Sequence, residues 1–214
     1  MVEKREGIAI QAGLDKSIEL MFLAHENWKE LKNAAWMHPV VKASFTDRLF
    51  DDIDAWTLYG IDINPTSIEI LYRLYSDRRI NWIVGGLSAS ENRLIYSNFG
   101  DFGVSPCWAV KMTLDELFDG LAINHCDVLM LDIEKSEYEL FENYTWRVKP
   151  ELMLVEIHEL PNERERANVL IELIVNNGYE KKAMYENETL EAIDKITPEN
   201  FHTYSSVNVI FTKK

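Results

Sequence analysis

Short apolar runs alternate with amphipathic segments along the chain, and this predicts one doubly wound α/β domain. Three observations carry the prediction. Apolar runs open near Ile8, Trp56, Ile80, Asp127 and Leu152, short enough for buried strands. Between them, apolar residues recur at helical spacing. Several runs stop at an acid, as at Asp62, Asp132 and Glu156. In open α/β sheets, chemistry sits just beyond the carboxyl ends of the strands.

The 214 residues suit a single domain spanning 1–214. Such a chain can bury a sizeable core without disulfides or metal. A net charge of -14 argues against nucleic acid or an anionic membrane as the main partner, since both select Lys/Arg surfaces. Cys107 and Cys126 form no CxxC pair and no disulfide framework. A reducing cytoplasmic compartment is the simplest reading. The charged start, Met1 to Gly7, does not read as a signal peptide. No apolar stretch reaches the ~18 residues of a membrane span.

In chain order, Ile8 to Ile10 reads as a first strand, turning at Gly13. From Ser17, the residues Leu20, Met21, Leu23, Ala24, Trp28 and Leu31 recur at helical spacing. Strand, glycine turn and helix form a binding element for a nucleotide-like ligand, although any such connection can contain one Gly. Residues 34–55, broken at Pro39, read as a helical insertion. Trp56 to Ile63 is a second strand, ending in Asp62 and Asn64-Pro65. Pro65 starts a helix carrying Ile68, Leu71, Tyr72, Leu74 and Tyr75. An acid there either accepts from ribose hydroxyls or serves the helix start.

Ile80 to Val84 is a third strand, followed by a Gly85-Gly86-Leu87-Ser88 turn. Arg93 to Tyr96 reads as a short extra strand. Ser97 to Trp108 reads as a loop, either a flap or a plain connection. Thr113 and Glu116 form a capping box for a short helix that takes in the preceding residues from Val110. A strand follows from Asp127 to Ile133, then another from Leu152 to Val155, leading into Glu156 and His158. Asn162 to Asn177 is an amphipathic helix ended by Gly178. Tyr179–Tyr185 and Val207–Phe211 close the chain as a strand pair.

Asp132, Glu134 and His158 are the candidate catalytic residues. If the strand persists to Glu134, its carboxylate shares a face with that of Asp132. An acid ending an apolar strand is costly unless used or paired, and His158 titrates in a useful range. Glu134 equally suits a helix N-terminus, and His158 a strand-end surface. Asp132, Glu156 and His158 are also possible divalent-metal ligands, but no tight spacing supports a metal, and none is assigned.

Several stretches together resemble the FkbM-type family of S-adenosylmethionine-dependent methyltransferases. They are Thr113-Leu-Asp-Glu-Leu, then Asp127-Val-Leu-Met-Leu-Asp132-Ile-Glu134, then Leu154-Val-Glu156-Ile-His158. Tyr59-Gly-Ile-Asp62-Ile-Asn64-Pro65 resembles the family's acidic second-strand segment, and Gly86-Leu-Ser88 its third-strand turn. The match is good over about residues 57 to 160. The resemblance implies a Rossmann-like, mostly parallel seven-stranded sheet whose last strand is antiparallel. It implies S-adenosyl-L-methionine as cofactor, with Gly13 and Asp15 near its methionine part. Asp62 and Asn64 would lie at the ribose, and Gly86 and Leu87 at the adenine. Asp132, Glu134 and His158 would flank the methyl group and a small-molecule or sugar hydroxyl acceptor.

Two departures stand out. Gln11 and Ser17 replace an acid and a glycine of the first motif, and Gly13 and Asp62 lie much farther apart than the ~20 residues of dinucleotide units. Lys135 stands where the family has glycine, so the turn either tolerates a strained φ > 0 or is built differently. These departures motivate a second reading, a catalytically degenerate binding or assembly module on the same fold.

Overall fold

The computed structural model describes residues 7–14, 56–74, 80–89, 94–97, 107–158, 164–186, 192–197 and 206–214. Asp15, Ser17, the helix expected from Ser17 and the insertion at 34–55 lie outside these residues, as does most of the loop expected after Ser97.

Seven strands form the main sheet. They are β1 (Gly7–Ala12), β2 (Trp56–Asp62), β3 (Ile80–Val84), β7 (Val128–Leu131), β8 (Leu152–His158), β9 (Tyr179–Glu186) and β10 (Ser206–Lys213). Their order is β3-β2-β1-β7-β8-β10-β9. β1 runs parallel to β2 and β7, β2 to β3, and β7 to β8. β10 runs antiparallel to both β8 and β9. The expected doubly wound, mostly parallel sheet with an antiparallel last strand is therefore present.

Strand alternation divides the core in two. Ile10, Ala12, Leu129, Leu131, Met153, Val155 and Ile157 face one side. There they pack with α2 (Leu114–Gly120), α3 (Glu137–Glu142) and α4 (Arg164–Asn176). Ala9, Val128, Met130, Leu152 and Leu154 face the other side and meet Ile68 and Leu71 of α1 (Pro65–Leu74). Both faces are covered, which is why these strands read as continuous apolar runs.

Local signals account for the helix ends. Asn64 accepts the Thr66 N–H on its side-chain oxygen at 3.0 Å, capping α1. Thr113 and Glu116 make the reciprocal capping box of α2. Gly178 takes φ +101 after α4.

The sequence reading needs correction around residues 107–112. Cys107–Met112 is strand β6, not loop and helix, and α2 begins only after the Thr113 cap. β6 pairs with β5 (Leu94–Ser97) and with the two-residue β4 (Gly86–Leu87) in a small second sheet. The apolar run Cys107-Trp108-Ala109-Val110 is only four residues long and is cut by Lys111 just before the Thr113 cap, so its strand signal is short.

Candidate active site

The parallel strands end at one edge of the sheet. Ala12 lies beside Ile61 and Leu131, Asp62 beside Val84 and Leu131 beside Val155. The strand order reverses between β1 and β7, the position where open α/β sheets open a crevice.

Asp62 ends β2 nearly buried. It accepts the Leu14 N–H at 2.9 Å and the Asn64 N–H at 2.7 Å. The carboxylate thus ties the turn after β1 to the end of β2. Asn64 is buried, with its side-chain oxygen engaged in the α1 cap. Gly13 has φ +79, and a Cβ there would lie 1.5 Å from the Asp132 carbonyl oxygen. The need for glycine at 13 is therefore set by the β7 backbone. Gly86 and Leu87 are buried in β4, and the following Ser88 donates through Oγ to Glu139 of α3 at 3.3 Å.

The second group gathers at the ends of β7 and β8. Asp132 and His158 are expected there. Asp132 continues the Val128–Met130 face beyond β7, while Glu156 and His158 continue the Leu152–Leu154 face of β8. His158 Nε2 lies 3.5 Å from Asp132 Oδ1, 3.7 Å from Glu134 Oε2 and 3.6 Å from Glu156 Oε1. Glu134 arrives by a different route from the one expected. The strand stops at Leu131, so Glu134 does not share a strand face with Asp132. A turn with Glu134 at φ +49 and Lys135 at φ +77 brings its exposed carboxylate to the Nε2 side of the imidazole. Lys135 thus adopts the left-handed conformation that glycine takes at low cost, and the turn keeps that form.

Glu137 is the residue that the sequence reading missed. Its side chain is 0% exposed. Oε1 accepts the Ile133 N–H at 3.2 Å and lies 3.1 Å from His158 Nδ1. In sequence it resembles any first-turn helix carboxylate favoured by the dipole. The signal that could have found it is its place beside Tyr138, Leu140 and Phe141, all buried. Tyr138 further pins β8 by donating its hydroxyl to the His158 carbonyl at 2.8 Å.

The electrostatics follow from this crowding. Burial, then the charge of Glu156, pushes the Asp132 carboxyl up to about 8, against the pull of His158. Burial also raises Glu156, opposed by the Ser206 hydroxyl, which donates to it. Burial by itself would lower His158. The hydrogen bond to Glu137 and the charges of Glu137, Glu156 and Glu134 outweigh it and push the imidazole up to about 9. By contrast, Asp127 at the opposite edge of β7 accepts the Ile8 N–H at 2.8 Å and pairs with His125, an anchoring role.

A sheet of this order is Rossmann-like, a fold whose ligands sit beyond the carboxyl ends of the strands. The Methyltransferase FkbM domain profile matches residues 23–194. The chain belongs to this family of S-adenosylmethionine-dependent methyltransferases. No curated protein matches it. Among solved structures, the Methanococcus jannaschii fibrillarin pre-rRNA processing protein is 14% identical, with a TM-score of 0.48, covering 98% of this chain and 67% of that one. Aeropyrum pernix fibrillarin, solved with natively bound S-adenosyl-L-methionine, is 14% identical, with a TM-score of 0.46 and coverage of 97% and 67%. A TehB-like S-adenosylmethionine-dependent methyltransferase from Corynebacterium glutamicum is 12% identical, with a TM-score of 0.41 and coverage of 98% and 82%. Among the described residues, no helix is long and apolar enough to cross a membrane.

The donor set fits the cofactor. Ribose hydroxyls are hydrogen-bond donors, and Asp62 presents an acceptor-only carboxylate at the end of β2. A sulfonium is cationic, and the Asp132, Glu134 and Glu156 carboxyl groups gathered around His158 can each take up negative charge beside it.

Proposed function

We propose that this methyltransferase acts on a hydroxyl oxygen of a small molecule or sugar, in the cytoplasm. One observation carries the reading: carboxylates from the end of β7, from the turn after it and from β8 converge on Nε2 of His158.

Bound S-adenosylmethionine would supply an electrophilic methyl group. The protein's own part is then to orient the acceptor and take its proton. Asp62 and Asn64 would hold the ribose side, the Gly13 turn with Asp15 the methionine side, and Gly86 and Leu87 the adenine side. Asp132 and Glu156, with His158 between them, would accept the hydroxyl proton. A carboxyl held at about 8 is a far stronger base than an ordinary carboxylate, and it sits near working pH. Glu137 would fix the imidazole so that Nε2, not Nδ1, faces the acceptor. Glu134, the most exposed member, would contact the acceptor's outer hydroxyls.

The test has two parts. Calorimetry with S-adenosylhomocysteine should show one site per chain, and failure to bind at millimolar concentration would sink the reading. A panel of polyols and hydroxylated aromatics should then yield S-adenosylhomocysteine in a reaction that Asp132→Asn slows by about 100-fold or more.

A further inference from the structure

We infer that Asp132, Glu134 and His158 form a binding site for a divalent cation of the Mn2+ type. One ligand atom from each of the three lies within 4.8 Å of the others. Metal–oxygen bonds of about 2.1 Å put neighbouring ligands on an octahedral ion roughly 3 Å apart. The observed 3.5 and 3.7 Å from His158 Nε2 to the Asp132 and Glu134 oxygens need only a small contraction.

Two further observations point to an ion. A metal-bound histidine generally gives its other ring N–H to a carboxylate, which fixes the tautomer and aims the free nitrogen. Here the fully buried Glu137 sits 3.1 Å from Nδ1, leaving Nε2 for the carboxylate side. The second oxygen of that same buried carboxylate, Oε2, has no hydrogen-bond partner among the described residues. An orphaned carboxylate oxygen is costly in a protein interior. A cation on the far side of His158 would offset the negative charge that Glu137 brings to the group. Two hard oxygens and one imidazole suit Mn2+ better than a thiolate-seeking ion. The exposed Glu134 marks the side from which ion and acceptor would enter.

Cation binding rests on these residues alone. Its bearing on catalysis rests on the proposed methyl transfer: a cation holding the acceptor oxygen would make its proton easier to remove, with Glu156 to receive it. Asp132 and His158 are metal-ligand candidates in the sequence as well, with Glu156 as the third; Glu134 takes that place because the turn after Leu131 brings its carboxylate to His158 Nε2.

The experiment is a Mn2+ titration of the full chain, followed by the electron paramagnetic resonance of the free ion, without cofactor or acceptor. We expect one saturable site per chain. Asp132→Asn and His158→Gln should each weaken it by about tenfold or more, and Glu134→Gln severalfold. Glu172→Gln, on the exposed face of α4, should leave it unchanged. Circular dichroism checks that each variant folds, and the exposed position of Glu134 makes its variant the safest. Absence of a stoichiometric site, or one that Glu134→Gln leaves untouched, overturns the inference. Because S-adenosylhomocysteine binding is measured separately, loss of either result leaves the other standing.

Discussion

The carbonyl oxygen of Asp132 occupies the space where a side chain on Gly13 would begin, 1.5 Å from the missing Cβ. The same glycine has φ +79 and donates its N–H to Ile61 at 3.0 Å. The turn after β1 and the end of β7 are therefore one packed unit. Gly13→Ala must push the Asp132 backbone aside and force alanine into the left-handed region. We expect a loss of about 3 kcal/mol or more, read from denaturant midpoints.

Much of this arrangement was legible in the sequence. Asp62, Asp132 and His158 were readable because each interrupts or follows an apolar run at a strand's carboxyl end. Glu137 was not, because a carboxylate in the first turn of a helix has an ordinary use on the surface, and only the tertiary fold buries it. A shared face for Asp132 and Glu134 required the strand to persist to Glu134; it stops at Leu131, and the turn that follows has its own geometry. β6 was missed because its apolar run, Cys107 to Val110, is short, follows a Gly- and Pro-containing stretch and meets Lys111 just before the Thr113 capping box.

Glu137 holds His158 through a 3.1 Å contact at Nδ1. Glu137→Gln keeps the shape but removes the charge and the strongest influence raising the imidazole. The His158 titration, followed by NMR of the ring protons, should move from about 9 toward or below its ordinary range, because burial then acts with less opposition. An unmoved titration would show that Glu137 only fills space.

The metal-free protein should lose stability as pH rises. Asp132 is raised from 3.8 to about 8 and His158 from 6.5 to about 9. Both folded values exceed the unfolded ones, so both contributions are complete below the unfolded values. They fade as pH climbs through the folded ones. Between about pH 6.5 and 8 both decline together, at up to about 1.4 kcal/mol per pH unit for each proton. Melting in EDTA across this range should show the fall, and Asp132→Asn should flatten it.

Lys135 holds φ +77 in the turn that carries Glu134. A left-handed lysine costs about 1–2 kcal/mol relative to its preferred regions, part of which glycine returns as lost chain entropy. Lys135→Gly should therefore stabilise the fold by roughly 1 kcal/mol, seen as a raised urea midpoint with an unchanged slope. Destabilisation instead would mean that the lysine side chain makes contacts worth more than its backbone strain.

Asp62 serves two backbone donors at once, Leu14 on Oδ2 and Asn64 on Oδ1. An amide offers only one acceptor oxygen, so Asp62→Asn turns an N–H donor toward another. That conflict should cost about 1–3 kcal/mol. The proposed ribose contact adds a second effect that stability alone does not reveal. A ligand that binds only the folded protein raises its stability by RT ln(1 + [L]/Kd). The gain from saturating S-adenosylhomocysteine therefore measures affinity separately from the fold. If Asp62 also accepts from the ribose, the variant should start lower and gain less than the wild type, by about 1.4 kcal/mol for each tenfold loss of affinity. Equal gains would confine Asp62 to joining the β1 turn to the end of β2.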